Sequence, residues 1–281
     1  MKQIQWYPGH MAKARRQVEE KMGVVDVVFE LLDARAVRSS MNPVLSEIIK
    51  NKPKLVLLNK ADLADPAENR RWIDFFTSQN QPALLTNSLT DDLLSQMKPM
   101  TENMLLTLRA KEIAKGMKPR PLRVMILGIP NVGKSQFINR LASKNKTKTG
   151  DRPGVTKIQQ YLRIGDDFEV LDNPGILWPK FEDPEVGMKL ALLGSIKEDT
   201  LPLEEVLLFG LRYLAKHYPR RLMDRYGLKQ IDATDATLIE AIGTAKGALL
   251  KGGIVDVDRV VKFVLADIRE GKFGRISFDK V

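Results

Sequence analysis

A chain of 281 residues with 43% apolar content can bury the cores of about two domains. It has no cysteine, which excludes disulfides and thiolate metal sites and makes a reducing cytoplasm the simplest home; with only His10 and His217 it has little scope for a histidine metal site. The formal charge of +10 lies wholly in residues 1–180, with 29 Lys/Arg against 19 Asp/Glu, while residues 181–281 carry 16 of each. Such a lopsided basic surface suits a polyanionic partner such as nucleic acid, although it also serves solubility.

Met1–Lys21 opens with Trp6-Tyr7-Pro8-Gly9-His10-Met11 and continues into a polar stretch read as helix, whose Lys13, Arg15, Arg16, Glu19 and Glu20 rule out a signal-peptide core. No apolar run approaches the ~20 residues of a membrane span. Val24–Leu32 reads as a strand ending at Asp33-Ala34-Arg35. Pro53–Leu58 reads as a second, delivering Asn59-Lys60-Ala61-Asp62 at its end. Trp72, Phe75 and Phe76 at helical spacing predict a helix over Asn69–Gln79. Ala83–Leu85 is a short strand entering Thr86-Asn87-Ser88, Asp91–Lys115 a helix, and Lys118-Pro119-Arg120-Pro121 a basic connector.

Leu122–Leu127 then reads as a strand, followed by Gly128-Ile129-Pro130-Asn131-Val132-Gly133-Lys134-Ser135 and a helix to about Ala142. Lys144–Lys157 is polar and loop-like. Gln159–Ile164 and Phe168–Leu171 form a strand pair ending at Asp172-Asn173-Pro174-Gly175. Alternating strands and helices predict an α/β fold with a mostly parallel, doubly wound sheet, its ligand loops at the strand C-termini, where every one of these motifs falls. Beyond Trp178-Pro179 the segments Pro184–Lys197, Leu203–His217, Ala236–Gly247 and Val257–Glu270 have helical period. The expected division is therefore residues 1–180, α/β, and residues 181–281, all-helical.

The glycine-rich segment fits G-x-x-x-x-G-K-[ST], in which backbone N–H groups and the following helix N-terminus wrap phosphates. Lys134 would neutralise the β- and γ-phosphates and Ser135 would ligate Mg²⁺. Asn59-Lys60-Ala61-Asp62 fits NKxD. A carboxylate at Asp62 accepts from both guanine N1–H and N2–H₂, whereas adenine leaves it unpaired, which argues against an ATPase. The Lys60 stem can lie on the base plane, and Asn59 can tie this loop to its neighbour. Gly128, Asn131, Val132, Gly133, Lys134, Ser135 and Gln136 thus form the phosphate side, and Asn59, Lys60, Asp62, Asn87 and Ser88 the base side. Asp172-Asn173-Pro174-Gly175 fits D-x-x-G, with Asp172 holding Mg²⁺ and the Gly175 N–H sensing the γ-phosphate; Thr156 is the natural switch-I threonine for Mg²⁺.

The motif order is unusual, because NKxD precedes the phosphate loop. This order, with Trp-Tyr-Pro-Gly-His-Met-Ala-Lys-Ala from Trp6 and Asp33-Ala34-Arg35, resembles the ribosome biogenesis GTPase A (YlqF) family of circularly permuted GTPases, over essentially Trp6 to the last residue. The resemblance implies GTP hydrolysis during late assembly of the large ribosomal subunit, with the precursor subunit and its rRNA as partners and the helical domain contacting RNA. Two departures stand out: Asp-Asn-Pro-Gly replaces the more usual Asp-Thr-Pro-Gly, and Thr86-Asn87-Ser88 matches the fifth guanine motif only approximately.

Ras-like enzymes carry a water-orienting glutamine after the D-x-x-G glycine; here that position is Ile176, which cannot orient water. By resemblance His10 takes that catalytic part beside Lys134 and Thr156, although it could equally cap or pack the N-terminal segment. By resemblance too, Asn131 is a K⁺ ligand, where a loop hydrogen bond is the alternative. His217 reads as a surface or satisfied histidine. Lys13, Arg15 and Arg16, Lys111, Lys115, Lys118, Arg120 and Arg123, and Lys144, Lys146, Lys148, Arg152 and Lys157 form basic clusters suited to RNA phosphates, as does the run Arg220, Arg221, Arg225 and Lys229; each is also what a solvated loop would contain. A GTP-dependent switch that recruits a protein without RNA, and an RNA-binding protein with a vestigial pocket, are the competing functions.

Overall fold

The computed structural model describes residues 9–50, 52–143, 162–171, 175–178, 181–231 and 234–281, with side chains from Ala12 onward. Six strands form one sheet: β1 (Val27–Asp33), β2 (Lys54–Asn59), β3 (Ala83–Thr86), β4 (Leu122–Gly128), β5 (Leu162–Ile164) and β6 (Phe168–Leu171). Their order is β3-β2-β1-β4-β6-β5, every neighbouring pair parallel except β5 and β6. All seven residues of β1 are buried, as a parallel strand covered on both faces requires.

Alternation along β1 sends Val27, Phe29 and Leu31 into one apolar cluster and Val28 into another. The first face is covered by α5 (Leu93–Met104) and α7 (Lys134–Ser143), through Met97 and Phe137. The second is covered by α1 (Gly9–Lys21) and α3 (Pro43–Ile49), through Ala14, Val18, Leu45 and Ile49. Helix α4 (Pro66–Ser78) adds Trp72 and Phe76 against Leu32, Val56 and Leu58.

Several features depart from the sequence expectation. The helix expected over Asp91–Lys115 breaks at Leu105 into α5 and α6 (Leu106–Ala114). Leu105 itself is buried, whereas α6 buries none of its residues and leaves Leu106 and Ile113 exposed, so the apolar phase does not continue across the junction. Between β1 and β2 lie two further helices, α2 (Val37–Ser40) and α3. Asn42 caps α3 by accepting from the Val44 and Leu45 N–H groups, with Pro43 in the first turn.

The remaining helices are α8 (Pro184–Leu192), α9 (Leu203–His217), α10 (Pro219–Tyr226), α11 (Asp235–Ala245) and α12 (Val257–Arg269). Asp183, Thr234 and Asp256 cap α8, α11 and α12, and Gly227 ends α10 in the left-handed conformation. Helix α10 lies outside the segments of helical period expected from the sequence; Pro219 opens it and Gly227 closes it. Leu192, Leu207, Leu211, Ile242, Val264 and Ile268 fill the space between these helices, and the same apolar cluster includes Phe29 on the sheet and Phe137 on α7.

Candidate functional site

The phosphate-loop motif leaves the C-terminal end of β4, beside β1. At Gly128 a Cβ would stand 2.6 Å from the Leu31 carbonyl oxygen, so only glycine permits this approach of neighbouring strands. The loop turns through Asn131 at φ 57° and Gly133 at φ 103°, where a Cβ would stand 2.5 Å from Asn59 Nδ2. It then enters α7 at Lys134, so N–H groups and helix dipole converge where an anion would sit. Lys134 is buried and its Nζ reaches back to the Ile129 carbonyl at 3.3 Å; Ser135 and Gln136 are exposed in the first turn.

The NKxD motif leaves β2. Asn59, wholly buried, donates from Nδ2 to the Val132 carbonyl at 2.9 Å and accepts at Oδ1 from Ser88 Oγ at 2.6 Å. One amide therefore joins phosphate loop, NKxD and the turn after β3. Lys60, at φ 59°, extends its Nζ to the Asn131 carbonyl at 2.8 Å and to Asp33 Oδ2 at 3.1 Å, while Asp62 is exposed. Asn87 is occupied in its own turn: its N–H donates to Asp91 and its Oδ1 accepts from the Leu89 N–H.

On the third side, a Cβ at Gly175 would stand 2.6 Å from the Pro130 nitrogen and 2.9 Å from Lys134 Nζ, so this glycine presses directly on the phosphate loop. Ile176 follows it into the interior. Its N–H donates to the Gly128 carbonyl at 3.2 Å, its carbonyl accepts from Asn42 Nδ2 at 2.8 Å, and its side chain lies in the cluster with Ala14 and Val18. Thr156 and Asp172 lie outside the described residues, as do the side chain of His10 and the basic cluster of Lys144–Lys157; the His10 backbone lies in α1, one turn before Ala14.

The helical region meets the site at several points. Asn131 Nδ2 donates to the Gly194 carbonyl, just beyond α8, at 2.5 Å. Arg35 is almost wholly buried: Nε and Nη2 grip the Asp33 carboxylate at 3.0 and 2.9 Å, and Nη1 donates to the Ile268 and Arg269 carbonyls at the end of α12. Burial alone would raise the Asp33 carboxyl, but the charges of Arg35 and then Lys60 hold it well below the usual carboxylate range. Residues 273–279 form no regular structure, yet Phe273 and residues 276–279 are buried, while Gly274 and Arg275 are exposed. Neither this segment nor Gly194 and Asn42 carries a sequence signal for a site.

Part of the basic run in α10 is committed internally. Arg225 pairs with Asp267, which Tyr226 also reaches, and Arg221 donates to the Arg275 carbonyl. His217 stacks on Tyr213 at 4.4 Å; partial burial, then Lys280, Lys216 and Lys189, lower its pKa. In the connector, Arg120 is paired with Asp26 and Glu112, whereas Lys111, Lys115 and Lys118 are exposed, as are Lys13, Arg15 and Arg16 on α1. No helix among the described residues is long and apolar enough to cross a membrane.

Comparison with known proteins places these features in context. A family described as 50S ribosome-binding GTPase matches residues 123–241, beginning on β4 and so leaving the NKxD strand outside the match. The chain is 50% identical over 277 residues to a ribosome biogenesis GTPase A of Bacillus pumilus, covering 99% of this chain and 98% of that protein. It is also 50% identical to the protein of that name from Priestia megaterium, over 98% of this chain and 96% of the other. Among solved structures it is similar to GNP-bound YlqF from T. maritima, with a TM-score of 0.69 and 26% identity over 95% of this chain and 98% of that one.

Proposed function

The chain belongs to the ribosome biogenesis GTPase A family, and from that membership we propose that this GTPase binds the large ribosomal subunit or its precursor through rRNA, acts late in its maturation, and leaves after hydrolysis. The observation that carries the reading is the Asn59 amide, which locks a guanine-type loop to a phosphate loop within a chain that matches its relatives end to end. The exposed lysines of the connector and α1 support contact with RNA phosphates. The absence of cysteine supports a cytoplasmic place of action.

In this reading Asp62 accepts guanine N1–H and N2–H₂, and Lys60 lies along the base. The N–H groups of the loop from Gly128 to Gly133 cradle the phosphates, and Lys134 neutralises the β- and γ-oxygens. Ser135, Thr156 and Asp172 offer hydroxyl and carboxylate oxygens, the hard donors that Mg²⁺ takes. Mg²⁺ held there would supply positive charge to offset that of the phosphates. Asn131, whose amide nitrogen is engaged with Gly194, offers an amide oxygen of the kind K⁺ accepts. Gly175, pressed on Pro130 and Lys134, is the residue that γ-phosphate would meet first, and its N–H would report that phosphate to Ile176 and beyond. Ile176 is turned into the apolar interior, so water must be oriented from elsewhere, and His10 at the start of α1 is the proposed group.

GTP turnover in K⁺ buffer, with and without large subunits and with ATP as control, tests this. Strong stimulation by the subunit with ATP inert is expected. Turnover indifferent to the subunit would sink the assembly role and favour a switch that recruits a protein. A His10→Ala protein that hydrolyses GTP normally in both conditions would remove His10 from the mechanism.

A further inference from the structure

The loop bearing Asp62 is held by residues more than two hundred positions away in the chain. Arg275 donates from Nε to the Ala64 carbonyl at 3.0 Å and from Nη2 to the Ala61 carbonyl at 3.2 Å. The Ile276 N–H donates to the Leu63 carbonyl at 3.0 Å, and the Asp65 N–H donates to Ser277 Oγ at 3.1 Å. Gly271 packs so closely on Leu63 that a Cβ there would stand 2.8 Å from Leu63 Cδ2. Residues on both sides of Asp62 are thus fixed while Asp62 itself is exposed.

The holding segment is itself anchored in the helical region. The Tyr213 and Tyr218 hydroxyls donate to the Ser277 carbonyl, the Ser277 N–H donates back to Tyr218, and Arg221 donates to the Arg275 carbonyl. Beyond it, the Phe278 N–H donates to the Arg35 carbonyl, and Asp279 accepts from Ser39 and Lys189. A free loop would sample many orientations of its carboxylate, and reading two guanine protons at once demands one of them. We propose that Arg275 and Ser277 are positioning residues for guanine recognition: they fix the loop that carries Asp62, so that the helical region sets base discrimination in the G site.

This rests on the assignment of Asp62 as the guanine reader, and the test separates the two. Inosine diphosphate lacks the exocyclic amino group, so the ratio of GDP to IDP affinity, measured by titration on the full chain, reports how well the carboxylate engages both guanine donors. Asp62→Ala is expected to collapse that ratio. Arg275→Ala is expected to lower it about five- to ten-fold, with Arg275→Lys, which can still reach one carbonyl, recovering part of the loss. Ser277→Ala, removing a single bond, acts in the same direction with smaller amplitude and serves if Arg275→Ala does not fold. An unchanged ratio in Asp62→Ala would overturn both the guanine reading and the positioning role. A ratio lost in Asp62→Ala but kept in folded Arg275→Ala and Ser277→Ala would overturn the positioning role alone.

Discussion

The Asn59 side chain donates to the Val132 carbonyl at 2.9 Å and so fastens the base loop to the phosphate loop from inside the protein. With Ser88 donating to its oxygen, both ends of the amide are used. Asn59→Ala is expected to destabilise the protein by about 2–3 kcal/mol, because buried partners lose their bonds. GDP affinity is expected to fall about ten- to a hundred-fold, or roughly 1.4–2.7 kcal/mol. Thermal unfolding with and without GDP, combined with a fluorescent-nucleotide titration, measures both effects; a wild-type Kd would contradict the coupling.

Lys134 is buried against Ile129, at the mouth of α7. Lys134→Ala is expected to reduce GTP turnover at least a hundred-fold, about 3 kcal/mol of transition-state stabilisation. Far-ultraviolet circular dichroism is expected to match the parent, since the substitution leaves the α7 backbone bonds in place.

Ile176 offers a different kind of test. Because its side chain belongs to the cluster of Ala14, Val18 and Leu171, installing the Ras-like residue there buries an amide instead of presenting it to water. Ile176→Gln should therefore leave basal turnover no higher and lower stability by about 1–3 kcal/mol. A rise in basal turnover would refute this placement.

The Asp33–Arg35 pair predicts an acid limb in stability. A carboxyl held below its ordinary value of 3.8 contributes stability that is present above that value and is lost as pH falls through the lower folded value. Chemical denaturation between about pH 6 and pH 2 should show stability falling mainly below pH 4. Asp33→Asn should shrink that limb, and should also cost about 3–5 kcal/mol at neutral pH by leaving the buried Arg35 without its counter-charge.

Much of the G domain is legible in sequence because its motifs are local. The phosphate loop, NKxD and the strands that deliver them each occupy a few consecutive residues whose chemistry and flanks agree. The α/β class and the parallel sheet followed from that alternation. What the sequence hid was non-local. Helix α3 is announced only by Asn42-Pro43, the break at Leu105 shows only in which residues the fold buries, and α10 is about two turns long with just Leu222 and Tyr226 buried along it. Arg221 and Arg225 read as a basic surface, yet both are engaged by other parts of the chain. Arg275 to Asp279 form no helix or strand, and their importance lies in partners more than two hundred residues distant, which no window along the chain contains.

The ladder between β1 and β4 is also a seam. Strands β2 and β3 and the loop of Asn59–Asp62 lie on one side of it, β6, β5 and the phosphate loop on the other, and the backbone crosses between them at Lys115–Pro121. In the proposed site, a nucleotide reaching from Asp62 to Lys134 would have its base in one half-sheet and its phosphates in the other, so its binding energy would be thermodynamically linked to keeping the halves together. Cleaved in that connector, the two fragments would still share the β1–β4 ladder and the bonds from residues 275–279 to the loops after β1 and β2. Bound nucleotide would add to that hold, so its affinity and the affinity of the fragments for each other would rise and fall together.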